Sequence, residues 1–191
     1  MYPSWMSEAS FYAFLERIDA ELAEGARATG CGCGGVLHRA TYPRKPRGGP
    51  RDLPCGYDRR LSFCCGRRDC RRRRTPPSVR FLGRRVYLGA VVALVSAMLN
   101  GPTPRRVATL GVHLGASRRT LERWRRWWRT TFAESAFWKA AAGRFARPPE
   151  SGRLPSSLLD CFRGDERTRL IATRRFLAPI TTSGTRHAMA S

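Results

Sequence analysis

Residues 64 to 74, CCGRRDCRRRR, carry three cysteines and six arginines and no aliphatic or aromatic side chain. Such a segment has no apolar surface to bury, and like charges at this density repel one another, so hydrophobic collapse does not order it. The thiols are what remains to hold it. Six of the chain's seven cysteines fall between residues 31 and 70. The opening stretch, MYPSWMSEASFYAFLERIDAELAEG, mixes acids into its apolar positions and lacks the layout of an export signal. A reducing bacterial cytoplasm is therefore expected, and there clustered cysteines point to metal ligation before disulfides.

Two candidate knuckles stand out. Cys31-Gly-Cys33-Gly-Gly places small residues beside two thiols, so that backbone amides can turn toward sulfur. The second is Cys65-x4-Cys70, entered through RLSFC, where Leu61, Phe63 and Cys65 alternate as the inward side of a strand and Cys64 points the other way. Cys31, Cys33, Cys65 and Cys70 are the predicted ligands of a structural zinc ion, with Cys64, Cys55 and His38 as alternatives. Four thiolates close a tetrahedral site at a Zn–S distance of about 2.3 Å. Such a site supplies on the order of 10 kcal/mol of folding free energy. Its net negative charge also explains why arginines crowd around it.

The net charge of +22 exceeds what solubility requires, and Lys45 and Lys139 are the only lysines among 36 basic residues. Between residues 39 and 85 there are 16 Arg plus Lys against three Asp. A polyanion is the expected partner, nucleic acid before an anionic membrane surface. The segments YPRKPRGGPR and CRRRRTPPSVRFLGRR read as extended basic arms, with Arg44, Lys45, Arg47, Arg71, Arg72, Arg73 and Arg74 as candidate DNA contacts. PRKPRGG resembles the minor-groove hook of architectural DNA-binding proteins, in which arginines flank an extended Pro/Gly core.

Elsewhere the pattern is helical. In residues 1–30, Phe11, Phe14, Leu15, Ile18 and Leu22 recur at helical spacing, with Ser7 or Ser10 as the expected N-cap and Gly25 or Gly30 near the end. VYLGAVVALVSAMLNG predicts a buried helix too short to span a bilayer. PTPRRVATLGVHLG predicts a second helix with Val107, Leu110 and Leu114 on one face, and His113 near the turn at Gly115. ASRRTLERWRRWWRTTF predicts a third, capped by Ser117, with Leu121, Trp124, Trp128 and Phe132 as its apolar stripe. Arg119, Glu122, Arg123 and Arg126 take the opposite face, and Trp127 sits at the margin as core, interface or stacking platform. After a Pro-Pro break, LPSSLLDCF and RLIATRRFLAPI predict two short helices, followed by a disordered end.

The expected architecture is thus mainly α with a small β zinc-ribbon-like module. It runs as an amphipathic N-terminal helix (1–30), the zinc module with its basic arms (31–80), a three-helix helix-turn-helix domain (81–147), and a linker with short helices and a disordered C-terminus (148–191). A helix-turn-helix inserts the start of its last helix into the major groove, which brings Ser117, Arg118, Arg119, Glu122, Arg123 and Arg126 toward the DNA.

On CGCGG, FCCGRRDC, TPPS and GASRRTLERWRRWW, the chain resembles zinc-ribbon plus helix-turn-helix proteins encoded with bacterial insertion sequences, and the N-terminal DNA-binding heads of some transposases. The Cys-x4-Cys half is also similar to the finger of phage late-gene activators. The likeness spans residues 31–132 and implies end or promoter recognition on mobile double-stranded DNA. Catalysis by such transposases uses three spaced carboxylates and two metal ions. Residues 70–191 offer only Glu122, Glu134, Glu150, Asp160, Asp165 and Glu166, on helices and a linker. The expectation is a non-enzymatic DNA-binding protein of the nucleoid. The rival readings are an adaptor that brings a separate transposase or recombinase subunit to DNA, and an RNA-binding protein.

Overall fold

A computed structural model describes residues 3–44, 53–82, 89, 91, 92 and 103–182. The described chain is mainly helical, with a small antiparallel sheet beside a cysteine cluster. Lys45, Arg47, the hook around them and the expected disordered end lie outside the described residues. Most of the VYLGAVVALVSAMLNG segment does too, although Gly89, Val91 and Val92 are helical and both valines are buried.

Helix α1 runs Ala9–Ala28 and buries Phe11, Tyr12, Leu15, Ile18, Asp19 and Ala23. Phe14 and Leu22, at the edge of the expected stripe, pack against the core only in part. Neither expected serine caps the helix. Ser4–Ser7 forms a short 3-10 turn whose Trp5 carbonyl accepts from the Glu8 amide, so Glu8 takes the cap position without a side-chain bond. Ser7 is used up inside that turn, and Ser10 bonds Glu8 Oε2 instead. At the far end Thr29 Oγ1 donates to Gly25 O at 2.8 Å, and Gly30 reverses the chain with φ 69°.

Strands β1 (Leu37–Arg39), β4 (Phe63–Cys65) and β5 (Arg73–Arg74) form one antiparallel sheet in the order β1-β4-β5. Strands β2 (Tyr42–Pro43) and β3 (Arg59–Arg60) form a second, two-stranded one. Phe63 and Cys65 face inward and Cys64 outward, the alternation that a pleated strand imposes.

Helix α2 (Pro104–Leu114) starts with Thr103 accepting from the Arg106 amide and with proline in its first turn. Gly115, at φ 59°, ends it in the left-handed region, and Ser117 caps α3 (Arg118–Trp127) through the Thr120 amide. The chain continues as one π-helical turn, Trp128–Phe132, and then, capped by Ser135, as α4 (Ala136–Ala142). The tail folds into α5 (Ser156–Asp160), α6 (Glu166–Leu177) and a 3-10 turn over Ala178–Thr181.

One apolar cluster draws on the chain from Met6 to Ile180. It combines Phe11, Leu15 and Ile18 of α1, Leu110 and Leu114 of α2, Leu121 and Trp124 of α3, Trp128 and Phe132 of the π turn, and Leu158, Leu170 and Leu177 of the tail. A small second cluster joins Ala23 of α1 to Leu37, Phe63 and Cys65. Helix α1 is therefore a wall shared by the sheet and the helical core.

The chain is stitched together at a buried charge node. Asp19, fully buried, accepts from Ser78 Oγ at 2.6 Å, the Val79 amide at 2.7 Å and Arg80 Nε at 2.8 Å. Arg80 spends its other nitrogens on the carbonyls of Tyr57 and Arg59, both at 3.0 Å. Arg174 of α6, also fully buried, donates to Val79 O at 2.9 Å, and burial lowers its pKa to about 10 despite the Asp19 charge. Arg60 reaches Pro76 O at 2.5 Å and Thr181 O at 3.4 Å. Arg80, expected in a solvated basic arm, is thus a core residue: its guanidinium is the counter-ion that a buried carboxylate requires.

Asp19→Ala leaves the surrounding guanidiniums without their anion and should cost about 3–5 kcal/mol, read as a lower urea midpoint. Glu24→Ala removes only exposed pairs with Arg27 and Arg39 and should cost less than about 1 kcal/mol.

Candidate metal centre and basic surface

The Sγ atoms of Cys31, Cys33, Cys65 and Cys70 all lie within 4.8 Å of one another. Cys31 and Cys70 are 3.7 Å apart, and Cys33 and Cys65 are 3.5 Å apart. These separations are far beyond an S–S bond of about 2.05 Å. They match instead the edge of a tetrahedron of sulfurs around one ion, about 3.8 Å for a 2.3 Å metal–sulfur bond. All seven cysteines are free thiols.

Two turns build the cluster. Gly34 N donates to Cys31 O at 2.8 Å and Cys31 N to Gly35 O at 3.2 Å, with Gly34 at φ 78°. Gly35 must lack a side chain, because a Cβ there would lie 2.5 Å from Cys65 Sγ. On the other side, Cys70 N and Arg71 N both donate to Arg67 O at 3.1 Å, Arg71 adopts φ 46°, and Cys65 N donates to Arg72 O at 3.0 Å. The alternative ligands fall away by position. Cys64 Sγ turns to Arg71 O at 3.4 Å, Cys55 is exposed in its own turn, and His38 lies against Gly66 on the opposite sheet face.

Gathered thiols share charge unequally. The Gly35 backbone, then the Cys65 and Cys70 thiols, draw the Cys33 thiol down to about 7. Cys65 receives a hydrogen bond from the Arg67 backbone that lowers its pKa, yet burial and the neighbouring sulfurs push it up to about 12. The Arg72 backbone lowers Cys70, but the Cys33 sulfur and burial outweigh it and raise Cys70 as well, so the cluster favours the ionised form at Cys33 and the protonated form at Cys65 and Cys70.

The cluster fixes the arginines around it. Arg67 Nη1 donates to Cys33 O at 3.1 Å while Nε and Nη2 grip Asp69. Arg71, Arg72 and Arg73 are exposed, whereas Arg74 is half-buried and donates to Gly30 O. Arg73 Nη1 donates to Ala40 O at 3.4 Å, and its guanidinium lies over the Tyr42 ring, 5.5 Å from the centroid. Arg44 is half-buried and its amide bonds Asp58 O. The arms expected on either side of the cluster contain short strands at Tyr42–Pro43 and Arg73–Arg74, and the second arm then turns inward, with Ser78, Val79, Arg80 and Phe81 buried.

On α3, Arg119, Arg123 and Arg126 are exposed on one side while Leu121 and Trp124 are buried on the other. Ser117 is committed to capping. Arg118 and Glu122 pair at 2.9 Å on the surface, so the glutamate holds that arginine in place. Arg125, half-buried, has its pKa lowered by burial and by Arg129. Trp127 packs edge-on against Trp128 and belongs to the rim of the core. Among the acids weighed for metal-ion catalysis, Glu150 pairs with Arg153, Asp160 with Arg169, and Asp165 caps α6.

Reading by composition missed Asp19, Arg60, Arg80 and Arg174 as a buried set. One signal was available: Asp19 stands four residues after Leu15 and one after Ile18, on the inward arc of α1. Comparison with family models, curated proteins and solved structures finds no match. No helix among the described residues is long and apolar enough to cross a membrane.

Cobalt(II) titration should saturate at one equivalent with thiolate charge-transfer absorption. Cys65→Ser should abolish that signal, and Cys64→Ser should leave the stoichiometry unchanged.

Proposed function

We propose that this chain binds double-stranded DNA sequence-specifically, as a transposon-associated accessory protein or a transcriptional regulator. In this reading a structural zinc ion sits in the four-cysteine site, and α2 and α3 act as a helix-turn-helix. Four thiolates in a closed cluster with no open position suit zinc in a structural role. The ion would tie the two glycine-bearing turns together and neutralise part of the arginine repulsion.

The observation that carries the proposal is the two-sidedness of α3. Its Leu121 and Trp124 are locked in the core, so Arg119, Arg123 and Arg126 project as a fixed row about 10 Å long. That row suits the major groove, where arginine binds guanine through two hydrogen bonds. Arg105 of α2 and the exposed Arg71 and Arg72 supply phosphate contacts. The site would be found on the bacterial nucleoid. The adaptor reading draws on the acids of α1, but three of these are engaged within the molecule: Glu16 with Arg80, Glu21 with Arg175, and Glu24 with Arg27 and Arg39.

Selection from a random duplex library with zinc-loaded protein should enrich one motif. On that motif, contact with six to eight phosphates gives a log–log salt slope of about −5 to −7. Arg123→Ala should cost about 1–3 kcal/mol and relax one base position, whereas Arg72→Ala should weaken all sequences alike and reduce the slope by about 1. No enrichment together with a flat salt response refutes the proposal.

A further inference from the structure

We propose that the outer face of the three-stranded sheet is a platform for an unpaired base, so that the preferred DNA is a duplex with a single-stranded extension. This rests on the duplex-binding reading and adds a second contact to it. Register places His38 opposite Cys64 and Cys64 opposite Arg73, so these three side chains form one row across the sheet, on the face away from the metal site. His38 and Arg73 are exposed. At roughly 4.8 Å between strands, their backbones stand about 10 Å apart.

Arg73 is the built part of this row. Its guanidinium is held by the Ala40 carbonyl at 3.4 Å and lies over the half-buried Tyr42 ring, 5.5 Å from the centroid. A free arginine at the surface sweeps many rotamers, whereas this one is pinned at one nitrogen and backed by an aromatic ring. Guanidinium planes and aromatic rings are the groups on which unpaired bases stack. The surroundings supply the phosphate grip. Arg59 is exposed opposite Pro43, next in chain to Tyr42, and Arg71 and Arg72 lead directly into Arg73. Cys64, between the ends of the row, is short enough to leave the face open. A paired base inside a duplex cannot present its π-face there, so the platform discriminates for strand ends or junctions.

The test compares the zinc-loaded protein on a blunt duplex with the same duplex extended by an unpaired overhang carrying 2-aminopurine. The overhang should bind about tenfold more tightly and its fluorescence should be quenched by stacking. Tyr42→Ala and Arg73→Lys should each lose the quenching and bring the overhang and blunt duplexes to equal affinity, whatever their affinity for the blunt form. Tyr42→Phe, which keeps the ring, should retain both. If Tyr42→Ala fails to fold, Arg73→Lys decides alone, since it keeps the charge and removes only the plane. Equal affinity of the wild-type protein for the two duplexes, or quenching that survives in Arg73→Lys, overturns the platform and leaves the duplex reading in place. Absence of binding to either form overturns both.

Discussion

Asp19 is the point on which the rest of the fold depends. A carboxylate with no solvent exposure is costly unless its charge is matched and its lone pairs are filled, and here two side chains and a backbone amide do both. The donors come from residues 78–80, directly after the sheet that carries the cysteine cluster, and Arg174 reaches the same stretch from α6. One anion thereby fixes three parts of the chain that are far apart in sequence. In a protein with so large a positive excess, a buried acid has a further effect. It sets where guanidiniums can enter the interior, and Arg60, Arg80 and Arg174 all lie around it.

The thiol cluster is the second device of the same kind, just beyond the C-terminal end of α1. Among the described residues the buried core of the sheet is Leu37, Phe63 and Cys65 against Ala23 of α1, too little apolar surface to order a segment of this charge. Under the proposed function, sulfur ligation would replace what hydrophobic burial does elsewhere, on a frame already set by backbone bonds at Arg67, Arg71 and Arg72. Because α1 contributes Ala23 to this small cluster and Ile18 to the large one, order in the sheet is linked to order in the helical core.

Local rules were readable where a single periodicity or a single cap decides the outcome. Strand alternation separated Cys65 from Cys64, Ser117 announced the start of α3, and the i, i+3, i+7, i+11 spacing picked out Leu121, Trp124, Trp128 and Phe132 as buried. The two tail helices were legible for the same reason. What was not legible is the burial of arginine. Composition assigns arginine to the surface, and nothing local distinguishes Arg80 from the exposed Arg72. The difference lies in Asp19, about sixty positions away, and in a pairing that only the tertiary fold creates. The cap of α1 was missed because the 3-10 turn before it, and no side chain, sets where the helix begins.

The same distinction bears on how an arginine-rich protein would read DNA under the proposed function. Arginines on a loose arm give affinity without sequence information, since every phosphate is alike and each contact costs the entropy of ordering a long side chain. In this chain many arginines are ordered in advance: Arg67 on Asp69 and Cys33, Arg73 on Ala40 and Tyr42, Arg118 on Glu122. Each pairing spends part of the side chain's hydrogen-bonding capacity and in return fixes the direction of the rest. Arg119, Arg123 and Arg126 are held at the backbone instead, by Leu121 and Trp124 of the same helix buried in the core. Rigid donors discriminate by geometry, because a misplaced acceptor leaves a desolvated charge unmatched, and such a mismatch is penalised more heavily than a correct match is rewarded.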